Sequence, residues 1–137
     1  MVFIDSNILC YFFDSSAEEH EAVVDRMEQL IDSEEDLHVN TVVLMEVAHF
    51  LVKNLGGKKG EQKLDEMLQY PFKVTDLDYS LTREAVEKLS MHHQTGIGGR
   101  DATIIASMKQ EGIQTLVTHD QAFKKVQEID VEDPVDV

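Results

Sequence analysis

Val2-Phe3-Ile4-Asp5 opens the chain with three apolar residues followed directly by an acid. Polar and apolar residues do not alternate within this run, which is typical of a strand covered on both faces. A second such run, Thr115-Leu116-Val117-Thr118, is followed after one residue by Asp120. Strands buried on both faces belong to parallel sheets that helices cover on either side, so these two segments predict an α/β fold.

The rest of the chain alternates short strands with amphipathic helices. Apolar residues at helical spacing predict helices over residues 17–32, 41–55, 60–69, 78–92, 100–111 and 121–126. Short apolar runs predict further strands over 38–40, 72–74 and 131–135. Asp78 is a predicted N-cap, and Gly56-Gly57 is a predicted stop for the helix 41–55. We therefore expect one domain, residues 1–137, with a mainly parallel sheet between two layers of helices.

Composition narrows the class of protein further. The 137 residues are 42% hydrophobic and 28% charged, as in ordinary globular domains, and the one cysteine, Cys10, excludes an intramolecular disulfide. The N-terminus lacks the basic start of a signal peptide, and no apolar stretch approaches the length that crosses a membrane. We expect a cytoplasmic protein that does not contact the membrane.

The net charge is −15, from 12 Lys plus Arg against 27 Asp plus Glu. A chain this acidic is repelled by bulk nucleic acid. The excess acids can form a solvated surface that aids solubility, or some of them can form a metal site whose bound cations reverse the local field. The two interpretations are compatible, because four site carboxylates account for only part of the excess.

Four acids are candidates for such a site. Asp5 and Asp120 follow predicted strands, and ligands of open α/β sheets bind beyond the carboxyl ends of the strands. Glu46 lies within a predicted helix beside Val42, Val43, Val47 and Phe50, and Asp101 shares a helix face with Ile104 and Ile105. A carboxylate that faces a core is costly unless it is paired or bound to a metal, and the only lysine or arginine next to these acids in sequence is Arg100.

Hard oxygen ligands of this kind suit Mg²⁺ or Mn²⁺, and carboxylates that hold such ions are a common arrangement for phosphodiester hydrolysis. Each aspartate also has a purely structural interpretation. Asp5 could cap a helix that begins near Ser6-Asn7, Asp101 could be a first-turn acid, and Asp120 could be an N-cap. Glu46 has no such explanation, because an acid in the middle of a helix gains nothing from capping.

Four segments, in this order, resemble the successive motifs of PIN-domain nucleases. They are Val2-Phe3-Ile4-Asp5-Ser6-Asn7, Val43-Leu44-Met45-Glu46, Gly99-Arg100-Asp101-Ala102-Thr103-Ile104-Ile105-Ala106 and Thr115-Leu116-Val117-Thr118-His119-Asp120-Gln121-Ala122-Phe123. The resemblance runs from residue 2 to about residue 135. The combination and its order are specific, whereas each motif alone is weak.

The resemblance implies a three-layer α/β/α sandwich in which Asp5, Asp101 and Asp120 hold Mg²⁺ or Mn²⁺. It implies Glu46 as a further ligand or as the base that orients water, and Asn7 and Thr118 as residues that support the acids. Many relatives carry another acid where this chain has Ala122, so one auxiliary ligand is missing. The compact length is similar to that of the VapC toxins of toxin–antitoxin pairs, which implies an RNA substrate, a small antitoxin protein as partner, and a homodimer.

Basic residues cluster at one place, with Arg100 beside Asp101 as a further cation. The cluster comprises Lys53, Lys58, Lys59 and Lys63. These lysines form either the solvated tip of two helices or a contact for the RNA backbone. Beside Asp120, His119 is a further candidate for substrate contact.

We therefore predict a metal-dependent endoribonuclease, most simply a toxin. The alternatives are a PIN-type nuclease of RNA maturation or decay without an antitoxin, and a catalytically weak PIN-like domain that only binds a partner.

Overall fold

Five short strands form one sheet in which every pairing is parallel. The computed structural model describes residues 1–136. The strands are β1 (Val2–Ile4), β2 (Leu37–Asn40), β3 (Lys73–Thr75), β4 (Thr115–Val117) and β5 (Asp130–Glu132), in the spatial order β3-β2-β1-β4-β5. The chain leaves the central strand β1 toward β2 on one side and later returns to β4 on the other. The strand order therefore reverses between β1 and β4, where open α/β sheets form a crevice at their carboxyl ends.

Six helices surround the sheet and complete the predicted three-layer α/β/α sandwich. They are α1 (Ser6–Phe13), α2 (His20–Asp32), α3 (Thr41–Leu55), α4 (Gly57–Met67), α5 (Tyr79–Met91) and α6 (Gly99–Glu111), and a 3₁₀ helix covers Gln121–Lys125. Helix α1 packs against α2 and α3, α3 packs against α4, and α5 packs against α6. Among residues 1–136, no helix is both long and apolar enough to cross a membrane.

The core lies between the sheet and its helices. The side chains of Phe3, Ile4, Leu116 and Val117 are fully buried, as their unbroken apolar runs predict. In α6 the eight residues 101–108 are all buried, so this helix is enclosed on every side. Asp101 begins that enclosed stretch, which explains why a charged side chain there is shielded from water.

The structure differs from the sequence-based predictions mainly at the ends of elements. The helix predicted over 17–32 begins at His20, and the strand predicted over 131–135 covers Asp130–Glu132. The helix predicted over 60–69 is α4, which begins directly after Gly56. Gly56 has a φ of 88°, a conformation that glycine adopts without strain, so the chain turns within one residue from α3 into α4.

Candidate active site

Asp5 is the most enclosed of the four acids, with 4% of its surface exposed. It follows β1 and is the N-cap of α1: its Oδ1 accepts a hydrogen bond from Ser6 N at 2.7 Å. Its Oδ2 accepts one from the Thr118 hydroxyl, also at 2.7 Å. Burial raises the pKa of Asp5 to about 6, against the effect of both hydrogen bonds, and the like charges of Asp101 and Glu46 raise it further.

Thr118 joins the two central strands at this edge. Its buried Oγ1 donates to Asp5 and accepts from Asp120 N at 3.0 Å and from Asn7 Nδ2 at 3.4 Å. Asn7 Oδ1 in turn lies 3.5 Å from His119 N. The structure thus places Asn7 and Thr118 beside the acids, in the supporting positions that the resemblance implies.

Asp120 and Asp101 each use one carboxylate oxygen to hold a backbone N–H. Asp120 Oδ1 accepts from Ala122 N at 3.0 Å at the start of the 3₁₀ helix, and Asp101 Oδ2 accepts from Gly98 N at 3.1 Å in the first turn of α6. Burial raises the pKa of Asp101, and the like charge of Asp120 adds to the shift. The capping roles considered for the three aspartates are therefore real, yet each aspartate also faces another acid or its support.

Glu46 reaches the same edge from α3, with a side chain that is 19% exposed. Its Oε2 is ion-paired with Arg100 Nη1, and its Oε1 is buried without a hydrogen-bond partner within residues 1–136. Arg100 Nε also lies 3.9 Å from Asp101 Oδ1. The acids are thus not left without a cation: Arg100, the arginine beside Asp101 in sequence, pairs with Glu46.

The donor set fits a hard divalent ion by its chemistry. All four side chains offer carboxylate oxygens, two of them have a raised pKa, and Glu46 Oε1 is a buried acceptor without a donor. As the side chains stand, no three His, Cys, Asp or Glu residues within 1–136 surround one point closely enough to hold a metal ion. The edge is therefore a set of suitable ligands rather than a closed cage.

Asn40 is a site residue that the sequence analysis missed. It ends β2 and caps α3, its Oδ1 accepting from Val43 N at 2.8 Å, while its Nδ2 donates to Thr103 Oγ1 at 3.3 Å and Ser107 Oγ at 3.2 Å. This buried amide therefore ties the helix that carries Glu46 to the helix that carries Asp101. An N-cap residue before Thr41 and two hydroxyls four residues apart in α6 are the signals that could have revealed it.

The ring of His119 is held in place by an acid. Its Nδ1 lies 2.9 Å from Asp133 Oδ2, and Lys124 Nζ contacts the same oxygen at 2.9 Å. Burial opposes the charge of Asp133, but these partners and two backbone N–H groups hold its pKa at about 2. Asp133 therefore fastens the segment after β5 to the turn that carries Asp120.

A cleft of about 440 Å³ opens beside Glu46. Residues of α1 and α3 line most of it, including the aromatic residues Tyr11 and Phe50, and the cations Lys53 and Arg100 line it as well. Phe50 also borders a second cavity, of about 660 Å³, which Lys59 and Lys63 line. Three of the four clustered lysines thus line one of these two cavities, Lys53 the first and Lys59 and Lys63 the second, whereas Lys58 lines neither.

Comparison with known proteins identifies the family. The family model of the PIN domain matches residues 2–129. No curated protein sequence matches the chain significantly. Among solved structures, the toxin VapC20 of Mycobacterium tuberculosis, described as cleaving the sarcin–ricin loop, is similar with a TM-score of 0.77 and 21% identity, covering 93% of this chain and 95% of that one.

Two further solved structures have the same fold. VapBC2 of Rickettsia felis, bound to a fragment of its promoter DNA, gives a TM-score of 0.75 at 23% identity and covers 97% of this chain and 98% of that one. FitAcB of Neisseria gonorrhoeae gives 0.73 at 21% identity, with full coverage of both chains. At these identities the structures establish the fold, and the family model establishes membership across nearly the whole chain. With its parallel sheet and its acids at the carboxyl edge, the chain belongs to the PIN domain family.

Proposed function

We propose that the chain is a metal-dependent endoribonuclease and the toxin of a toxin–antitoxin pair. One observation carries the proposal: Asp5, Asp101 and Asp120 lie at the point where the strand order reverses, and burial and like charge raise the pKa of Asp5 and Asp101. Burial and mutual repulsion disfavour the ionised form of these carboxylates, and a bound divalent cation would stabilise that form. Asp5, Asp101 and Asp120 would hold Mg²⁺ or Mn²⁺.

When bound, the ion would polarise a phosphodiester and lower the pKa of an attacking water. Glu46 would orient that water and accept its proton as the oxygen bonds to phosphorus and the bond to the 3′ oxygen breaks. The products would carry 5′-phosphate and 3′-hydroxyl ends. Asn7 and Thr118 would keep Asp5 and Asp120 in register through the hydrogen bonds they already make.

The proposed RNA path is the cleft beside Glu46. Tyr11 and Phe50 offer rings on which unpaired bases stack, and Lys53 and Arg100 offer charge for phosphates. This local arrangement offsets a net charge of −15 that otherwise repels nucleic acid. The structurally similar VapBC2 complex supports a small antitoxin as partner, and we propose a homodimer in the cytoplasm on the family resemblance alone.

The decisive experiment measures cleavage of a defined single-stranded RNA in Mn²⁺ and in EDTA. Wild type is expected to cut only with the metal, and Asp101→Asn is expected to lose at least about a hundredfold in rate, the scale of losing one catalytic electrostatic group. Asp25→Asn, an exposed acid on α2, is the matched control and is expected to retain activity. Full activity in EDTA, or equal activity of the two variants, contradicts the proposal.

The toxin assignment needs a cellular measurement. Expression of wild type is expected to arrest growth and that of Asp101→Asn to permit it, with a neighbouring gene for a small DNA-binding protein relieving the arrest. RNA cleavage in vitro without arrest favours a nuclease of RNA maturation or decay. A protein that binds its partner but cuts no RNA in Mn²⁺ is the third alternative, a domain that only binds.

A further inference from the structure

Asp5, Glu46, Asp101 and Asp120 together form what we call the acidic edge. Among residues 1–136, Arg100 is the one lysine or arginine that forms an ion pair with it. Its guanidinium contacts Glu46 Oε2 through Nη1 and approaches Asp101 Oδ1 through Nε. Neither carboxylate receives two parallel hydrogen bonds from it, so the fork geometry that strengthens arginine–carboxylate pairs is not used. The Arg100 side chain is 57% exposed, and ion pairs so open to water contribute little to stability.

The pair leaves Glu46 incompletely satisfied. Glu46 Oε1 is buried and accepts no hydrogen bond within the described residues, although the other oxygen is paired. A buried acceptor without a donor is unfavourable, so the carboxylate retains an unmet demand for positive charge. A second cation near Glu46 would therefore be stabilised by Oε1, the oxygen that Arg100 leaves unpaired.

We propose that Arg100 is a built-in counter-cation that competes with a divalent ion for Glu46. The inference rests on the proposed function, because it presupposes an ion held by Asp5, Asp101 and Asp120. In the metal-free protein Arg100 neutralises Glu46; an ion on the neighbouring aspartates repels the guanidinium and attracts the same carboxylate. Arg100 is thus a positioning residue, since it acts through Glu46 and controls when that carboxylate is free.

When the Arg100 side chain leaves Glu46, it can still take part in binding RNA. Arg100 and Lys53 both border the cleft beside Glu46, so a guanidinium released from Glu46 remains at its rim. A phosphate in the cleft would then replace the carboxylate as its partner. Binding of the ion would consequently free Arg100 from Glu46 and make it available to an RNA phosphate.

Titration calorimetry with Mn²⁺ in the absence of RNA tests the competition. Arg100→Gln is expected to bind Mn²⁺ about threefold to fivefold more tightly than wild type, the range that loss of an exposed pair allows. Lys53→Gln is the matched control: it removes the same charge from the same cleft without breaking an ion pair of Glu46, and a change of less than about twofold is expected.

A second pair of variants shows whether the effect passes through Glu46. In a Glu46→Gln background, Arg100→Gln is expected to raise Mn²⁺ affinity by less than about twofold, because the contested carboxylate is gone and only the weaker approach of Arg100 to Asp101 remains. The inference is overturned if Arg100→Gln raises Mn²⁺ affinity as much in that background as in wild type, or if Lys53→Gln raises it as much as Arg100→Gln does. Either result would mean that the arginine acts only through its overall positive charge. If wild type and Arg100→Gln both bind no Mn²⁺, the proposed function itself is wrong, and the inference falls with it.

Discussion

Asp5 is both the N-cap of α1 and one of the four acids that lie together at the carboxyl ends of the strands. As an N-cap it must accept from Ser6 N, and as a member of the acidic edge it must stay close to Asp101 and Glu46. Raising its pKa from 3.8 to about 6 corresponds to about 3 kcal/mol of unfavourable free energy for the ionised form. The hydrogen bond from the Thr118 hydroxyl already lowers this cost, because without it burial would raise the pKa of Asp5 further.

The first residue-scale prediction concerns pH. Because the pKa of Asp5 is higher in the folded than in the unfolded chain, the stability it contributes is complete below about pH 3.8 and is lost as the pH rises through about 6. In EDTA, lowering the pH from 7.5 to 5.0 should therefore stabilise wild type relative to Asp5→Asn by about 1 kcal/mol. Paired urea melts at the two pH values measure this difference.

The variant itself cannot reproduce the hydrogen bonds of Asp5. One orientation of the amide aims its NH₂ at Ser6 N, and the other aims it at Thr118 Oγ1, which already accepts from Asp120 N and Asn7 Nδ2. That defect is the same at both pH values, so it cancels in the comparison. A stability difference that does not depend on pH would show that Asp5 ionises normally in the folded protein.

A second residue-scale prediction concerns the repulsion between acids. Asp101→Asn and Asp120→Asn each keep an oxygen for the backbone N–H that the aspartate holds and remove one negative charge from the edge. Each should raise the melting temperature of the metal-free protein by about 3 °C, for a gain near 1 kcal/mol, and each should shrink the stabilisation by Mn²⁺. If both variants melt below wild type in EDTA and Mn²⁺ shifts all three equally, the acids serve only as caps.

At the residue scale, the sequence predicts which acids lie close together but not which side chains form ion pairs or hydrogen bonds with them. The four acids were predictable because three follow or open buried elements and Glu46 shares an apolar helix face. The Arg100–Glu46 contact joins side chains 54 positions apart on two helices, so it depends on rotamers and helix packing that no local pattern specifies. The same reason hid Asn40, whose partners Thr103 and Ser107 lie on α6.

Elements were predictable wherever local chemistry marks them. Asp78 caps α5 through its side chain, as predicted, and Gly112 ends α6 in the left-handed conformation. Helix α1 was considered only as a reason for Asp5 to be a cap, because its apolar residues run almost without interruption from Ile8 to Phe13 and show no helical period. Its several half-buried side chains pack against the core, so it has no polar face to reveal it.

The element-scale prediction concerns the contact between α3 and α4. Gly60 faces α3 so closely that a Cβ atom there would lie 2.6 Å from Val52 Cα and 2.8 Å from the Leu51 carbonyl carbon. Backbone atoms cannot move aside as a flexible side chain does, so Gly60→Ala should destabilise the fold by about 2–3 kcal/mol. Thermal unfolding followed by circular dichroism measures the loss.

Gly57 is the matched control in the same helix. It begins α4, and nothing lies within 4 Å of the position of a Cβ atom there. Gly57→Ala should leave stability unchanged or raise it by up to about 1 kcal/mol, because alanine favours the helix. Equal effects of the two substitutions would mean that α4 does not pack on α3 at Gly60.

At the scale of the whole molecule, charge is distributed unevenly. The net charge of −15 opposes contact with RNA, yet Lys53, Lys59 and Lys63 line two cavities that Phe50 also borders. Lys63 also lies 5.9 Å from the centre of the Phe13 ring and pairs with Glu66 on an exposed face. Lysines concentrated along this proposed RNA path would attract phosphates there, against the repulsion of the net negative charge.

The last prediction tests that path by its salt dependence. Replacing Lys53, Lys59 and Lys63 with glutamine should weaken binding of a short single-stranded RNA and reduce the slope of log affinity against log salt by about 2, because three fewer phosphates are neutralised. The matched control replaces Lys73, Arg83 and Lys109, three exposed cations elsewhere, so both variants carry the same net charge.

If affinity fell only because the protein became more acidic, the two triple variants would lose equal amounts of RNA affinity. A larger loss and a flatter slope for the first variant alone locate the RNA along α3 and α4, whereas unchanged binding of both excludes the path and leaves the acidic edge as the only contact. Measuring both in Asp101→Asn protein prevents cleavage during the titration, so the comparison reports binding and not turnover.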